Sequence, residues 1–211
     1  MPPIRFLASS LTAAAALALS ACATSPYTGP VEVTRFVAQN PEGLGQGPIV
    51  VYFPDEVSSA NAKSAIKAAV ERELQAIGYS IVAQEGRGIQ VAAVRTSRNA
   101  IAAPVENNRG PVSVGVGGQT GGFGSGVGMG VGINLGGGRE GPAALTEISV
   151  RITSADGATL WEGRAQMATG VKSPYSQVDA SARALAAGLF RDFPGGNGET
   201  VSIEVKKLQG N

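Results

Sequence analysis

The sequence predicts an α+β fold: a mostly antiparallel sheet with two helices on one face and a Gly-rich β-hairpin insert. Three observations lead there. Two stretches carry the four- and three-residue apolar spacing of amphipathic helices, each followed by a glycine stop. The other apolar runs are short and bounded by turn residues. One tract alternates Gly with apolar residues at the period of a strand. In order the chain reads strand, strand, helix, strand, strand, Gly-rich insert, strand, strand, helix, strand, which is an α+β arrangement.

Residues 31–38 (VEVTRFVA) alternate loosely and read as the first strand. After a Gly/Pro loop, residues 49–53 (IVVYF) sit between Pro48 and Pro54 as a short buried strand. Ser58 and Ser59 are N-cap candidates for a helix running to Ile77. Ile66, Val70, Leu74 and Ile77 share one of its faces, and Gly78 supplies the stop. Asp55-Glu56 precede this helix as negative charge complementing its dipole. Residues 79–83 and 89–96 are two more strands, joined by Glu85-Gly86-Arg87-Gly88.

Past the insert, residues 145–154 and 159–167 flank Asp156-Gly157, the best short hairpin signal in the chain. A second helix begins near Ser176 and ends at Phe193-Pro194-Gly195-Gly196. Its apolar face holds Val178, Ala182, Leu185, Ala186, Leu189, Phe190 and Phe193. Residues 200–205 (TVSIEV) close the domain as a final strand.

The insert is the least ordinary stretch. Arg109 and Arg139 bracket a run without charge, and residues 110–141 hold 15 of the 30 glycines. Val127, Met129, Val131, Ile133 and Leu135 alternate with Gly126, Gly128, Gly130, Gly132 and Asn134. Val112, Val114 and Val116 repeat the rule in an earlier arm, so a β-hairpin turning over residues 120–125 fits better than a flexible linker. Glycine within strands marks close approach of another backbone. Three readings stay open: a hairpin packed on its own domain, self-association or partner docking through the bare glycine face, and membrane insertion within a ring of subunits. The third requires oligomerisation, since one hairpin cannot close a barrel.

The N-terminus reads as a targeting segment. Arg5 gives a basic start and residues 7–19 an apolar stretch of about 13 residues, short of the roughly 20 a spanning helix needs. Leu19-Ser20-Ala21-Cys22 resembles the bacterial lipobox, in which cleavage after Ala21 exposes Cys22 for diacylglyceryl attachment to its sulfur. The sole Cys of the chain occupies the one position that motif requires. Two or three acyl chains, such as bacterial lipoproteins of this kind carry, make anchoring effectively permanent, where one holds only marginally. Ala23 stands where an Asp would resemble an inner-membrane retention signal, which favours a periplasm-facing position on the outer membrane. The expected organisation is a signal peptide at 1–21, a lipidated tether at 22–30 and one α+β domain at 31–206, with the insert at 110–141.

Composition removes other functions. Lys+Arg 17 against Asp+Glu 16 leaves no basic footprint for nucleic acid. Without His, and with one Cys, the chain has no N/S zinc site, no His-based catalytic pair and no intrachain disulfide. Gly136-x-Gly138-x-x-Gly141 matches the dinucleotide fingerprint in letters, but Pro142 and a β-patterned run follow where a helix must open. Ser64-x-x-Lys67 and Ser97-x-Asn99 resemble two motifs of serine penicillin-recognising enzymes, whose third motif is missing. Trp161-Glu162-Gly163-Arg164 reads as a core Trp with Glu162 and Arg164 at the surface.

The lipobox, residues 31–36 (VEVTRF), the Gly/Val insert, residues 160–164 (LWEGR) and residues 189–195 (LFRDFPG) together resemble one proteobacterial lipoprotein family, domain of unknown function number 4136. The resemblance implies an envelope location and an α+β domain, and it transfers no catalytic residue or cofactor. A looser likeness, of architecture alone, is to lipid-anchored α/β subunits of outer-membrane secretion rings. The expectation is a non-enzymatic, lipid-anchored binding or assembly module. It contacts the membrane through its lipid and a further copy or an envelope protein through the hairpin. A ring-forming export subunit is the alternative.

Overall fold

The computed structural model describes residues 26–57, 59–101 and 143–208. In chain order they form β1 (Val31–Val37), β2 (Gly47–Tyr52), α1 (Ala60–Ile77), β3 (Tyr79–Ile81), β4 (Gln90–Ile101), β5 (Ala143–Thr153), β6 (Thr159–Gly170), α2 (Val178–Phe190) and β7 (Thr200–Ile203). All seven strands join one sheet in the order β3-β2-β4-β5-β6-β1-β7. The α+β class holds, with a mixed sheet. β2 is parallel to both β3 and β4, and the remaining pairs are antiparallel. The parallel corner follows from α1, because a strand can return parallel to its predecessor only through a long crossover.

Local chemistry sets the helix ends. Ser59 Oγ accepts from the Ala62 amide at 3.4 Å, and Gly78, at φ 129, donates its own amide to Leu74 and Gln75 carbonyls. A Cβ at Gly78 would lie 2.9 Å from the Gly45 carbonyl oxygen, so both conformation and space require glycine. Asp55, ahead of α1, also has a partner in the sheet. It pairs with Arg95 of β4 at 2.8 Å, and the first turn of α1 contains no acidic residue. α2 starts two residues later than expected because a short 3-10 turn, Pro174–Ser176, takes up the chain first. β7 ends early for the same kind of reason, running into a 3-10 turn at Val205–Leu208.

Ile66, Val70 and Leu74 of α1 and Ala182, Leu185 and Leu189 of α2 pack with Val33, Val51, Val94, Ile148, Val150, Ile152, Ala165 and Met167 into one core on one side of the sheet. Alternation then sends Arg95, Glu147, Arg151, Glu162 and Arg164 to the opposite side. There Arg151 pairs with Glu162, and Arg164 with Glu147 at 3.2 Å.

The β5–β6 hairpin turns through Ser154–Ala158. The Gly157 amide donates to Ser154 O, and the Ser154 amide to Ala158 O. Gly157 has φ 91, so the Asp-Gly signal is used where a left-handed residue is needed.

Candidate functional site at the tether end of the sheet

Cys22, Ala21 and the hairpin residues Val112, Val114, Val116, Val127, Met129, Val131 and Ile133 lie outside the described residues, as does the Gly136–Gly141 motif. The described chain gives the geometry of the points from which those segments leave. β4 and β5 pair without interruption from Val91↔Thr153 to Ile101↔Ala143, so the two roots of the insert are direct partners. Ala143 pairs in turn with Gly170, the last residue of β6.

The segment before β1 arrives at the same place. The Gly170 amide donates to Tyr27 O at 3.0 Å, the Gly29 amide to Ala168 O at 2.8 Å, and Thr28 bridges Thr169. Thr28 and Ser173 hydroxyls share a 2.6 Å hydrogen bond. Gly29 is buried, and a Cβ there would meet Tyr27 Oη at 2.9 Å and Ala168 O at 3.0 Å. The expected tether is thus fastened to β6 before Val31. Tyr27, Gly170, Ala143 and Ile101 form one row across the sheet end. Beside it, Val171 is 58% exposed and Lys172 is exposed. The Thr146 and Thr169 hydroxyls behind this end are buried without a hydrogen-bond partner among the described residues.

The far end is built differently. Trp161 is fully buried, stacks on Phe190 at 5.4 Å between ring centroids, lies 5.3 Å from Phe193, and donates its Nε1–H to Pro194 O at 2.9 Å. Its ring covers Gly163, where a Cβ would stand 2.2 Å from Trp161 Cη2. That explains Trp161-Glu162-Gly163-Arg164 as alternating core and surface positions, with Glu162 33% and Arg164 49% exposed.

Nearby, Arg35 is buried and donates from Nε to Leu189 O at 2.9 Å and from Nη2 to Gly188 O at 2.8 Å. It satisfies two carbonyls at the C-terminus of α2, where positive charge also complements the dipole. Burial lowers the Arg35 pKa, and Asp192 opposes that shift. Sequence reasoning missed this residue, although it continues the inward positions Val31 and Val33. Arg35 also lines an open cleft of about 330 Å³ with Arg191, Asp192, Gly195, Val201 and Lys207. There its guanidinium is committed to the helix, and Arg191 donates to Lys207 O at 3.1 Å and lies 3.7 Å from the Asp192 carboxylate.

The catalytic likenesses gain no geometry. Ser64 is exposed on α1, and Lys67 pairs with Glu71 one turn along. Ser97 and Asn99 lie on the sheet face opposite the helices, opposed by Glu147 and Leu145. Among the described residues no three His, Cys, Asp or Glu side chains gather as a metal-binding group. No described helix is long and apolar enough to cross a membrane.

No protein-family model and no curated protein matches the chain. Among solved structures it is similar to a PDZ domain protein from Parabacteroides distasonis, at 14% identity and TM-score 0.46, over 89% of this chain. The chain spans 41% of that protein's length. It is also similar to PelC from Paraburkholderia phytofirmans, a dodecamer, at 13% identity and TM-score 0.35, over 75% of this chain and 93% of that one.

Proposed function

We propose that this is a lipid-anchored cell-envelope protein without a reaction of its own, acting as a binding or assembly module through the Gly-rich segment at 110–141. The observation that carries the reading is the shared sheet end. The segment leading back to Cys22 and both roots of the insert, Ile101 and Ala143, meet in one row. Cys22 then serves as lipid attachment point and Ala21 as the residue before cleavage, on the periplasmic side of the outer membrane. The family resemblance to domain of unknown function number 4136 points the same way. The lack of His and the balanced charge argue against His-based catalysis and nucleic-acid binding.

Deleting residues 112–135 tests this. The expected product keeps the urea midpoint of the intact protein, because the paired strand ends remain, but loses the envelope crosslinks of the intact protein. Unchanged crosslinks would remove the hairpin from the function.

A ring-forming export subunit is the second reading. The two sheet edges favour it: β3 and β7 each pair on one side only among the described residues, and Val201 of β7 is 42% exposed. Such edges suit head-to-tail contacts, which close into rings. A monomer by light scattering in mild detergent would end this reading.

A further inference from the structure

We propose, resting on the lipid-anchor reading above, that the Val171–Lys172 turn forms a bilayer-contact surface, so that the domain stands on phospholipid headgroups by this end of the sheet. The reach of the tether decides the orientation. Cys22 precedes Pro26 by four residues, which extended span at most about 14 Å. The next residue, Tyr27, is already hydrogen-bonded to Gly170 at the end of β6. The strands are much longer than that reach: the 12 residues of β6 extend roughly 40 Å at about 3.3 Å each. A lipid on Cys22 therefore holds the turn after Gly170 near the headgroups, and the Ser154–Ala158 turn can approach them only if the domain lies flat.

Lying flat would press one broad face on the lipid, and the face opposite the helices carries Arg151–Glu162 and Arg164–Glu147 ion pairs that would have to be desolvated. The tether end has the composition an interface accepts. Val171 is the most exposed large apolar side chain among the described residues, and Lys172 follows it. An apolar residue beside a Lys can seat its methyl groups below the phosphates while the ammonium stays among them. Tyr27 is half-buried with its Oη folded back beside Gly29, and it serves here through its backbone, fixing where the lipid-bearing segment leaves the sheet. Arg98, exposed on β4 and donating to Ser176 O at 2.7 Å, adds a second cation. Asp179, exposed in the first turn of α2, is the acidic group nearest in sequence to the turn.

The test uses the full lipidated chain in vesicles of phosphatidylethanolamine and phosphatidylglycerol. With Cys22 in thioether linkage, an introduced Cys is the single free thiol. Val171→Cys and, separately, Lys172→Cys are labelled with an environment-sensitive fluorophore, with Ala155→Cys in the distant turn for comparison. The expected result is a blue shift and several-fold stronger quenching by headgroup-region spin-labelled lipid at 171 and 172 than at 155. Protein that floats with the vesicles yet responds equally at all three positions overturns the inference, and leaves a protein partner as the occupant of this end. Protein that does not float overturns the anchor reading, and the inference falls with it.

Discussion

The two ends of this sheet are made by different physics. At the far end, Trp161, Phe190 and Phe193 interlock, Gly163 makes room for the indole, and Arg35 closes the last turn of α2. Every polar group named there has a partner. At the tether end the polar contacts include backbone bonds to Tyr27 and Gly29, the Thr28–Ser173 hydroxyl pair and Arg98 on Ser176 O, with two buried Thr hydroxyls unpartnered among the described residues. One end is closed by interlocking rings, and the other gathers the segment before β1 and both roots of the insert. Loops and termini held by few apolar contacts are where function concentrates in a rigid scaffold.

The largest expected effect lies at the far end. Trp161→Ala removes both ring contacts and leaves Pro194 O without its donor, so urea denaturation should show a loss of about 3–5 kcal/mol. A loss below about 1 kcal/mol would mean that this cluster is not the keystone of the core. Gly163→Ala tests the same contact from the other side. Its Cβ would fall 2.2 Å from Trp161 Cη2 and 2.7 Å from Leu189 Cδ1, and the overpacking should cost about 1–3 kcal/mol. Neither change should alter membrane attachment if the ends are independent.

A smaller effect belongs to the open sheet face between them. Burial raises the Glu147 pKa, and Arg164 only partly opposes this. The folded state therefore holds the Glu147 proton more tightly than the unfolded chain does. Its favourable contribution is complete below the unfolded value of about 4.3 and is lost as pH rises through the raised folded value. Glu147→Gln keeps a neutral side chain at every pH, so its stability relative to wild type should increase between pH 4 and pH 7. Urea midpoints at the two pH values measure this, and a difference independent of pH would contradict it.

Legibility in the sequence followed the range of the interactions. Ser59 and Gly78 act within one turn of α1, and Asp156-Gly157 within one hairpin, so both were readable. Trp161 was readable as core because its neighbours alternate in polarity. The parallel corner of β2, β3 and β4 was not, since it depends on where α1 lands. The strand expected to stop at Thr96 continues to Ile101 because it pairs with β5 up to Ala143, across the whole insert. Tyr27 on Gly170 and Arg35 on Gly188 and Leu189 are equally non-local. Arg35 had a signal in its parity with Val31 and Val33, but nothing nearby in sequence names the carbonyls it serves. The tether end is likewise assembled from residues far apart in the chain, and only the fold shows that they meet.

The membrane contact assigned to that end depends on Cys22. Fractionating cells that produce the wild type or Cys22→Ala, with washed membranes and soluble envelope contents assayed separately, tests it most directly. Wild type is expected in the membranes and Cys22→Ala in the soluble fraction, with the same urea midpoint once purified. Cys22→Ala retained on washed membranes to the same extent as wild type would contradict it.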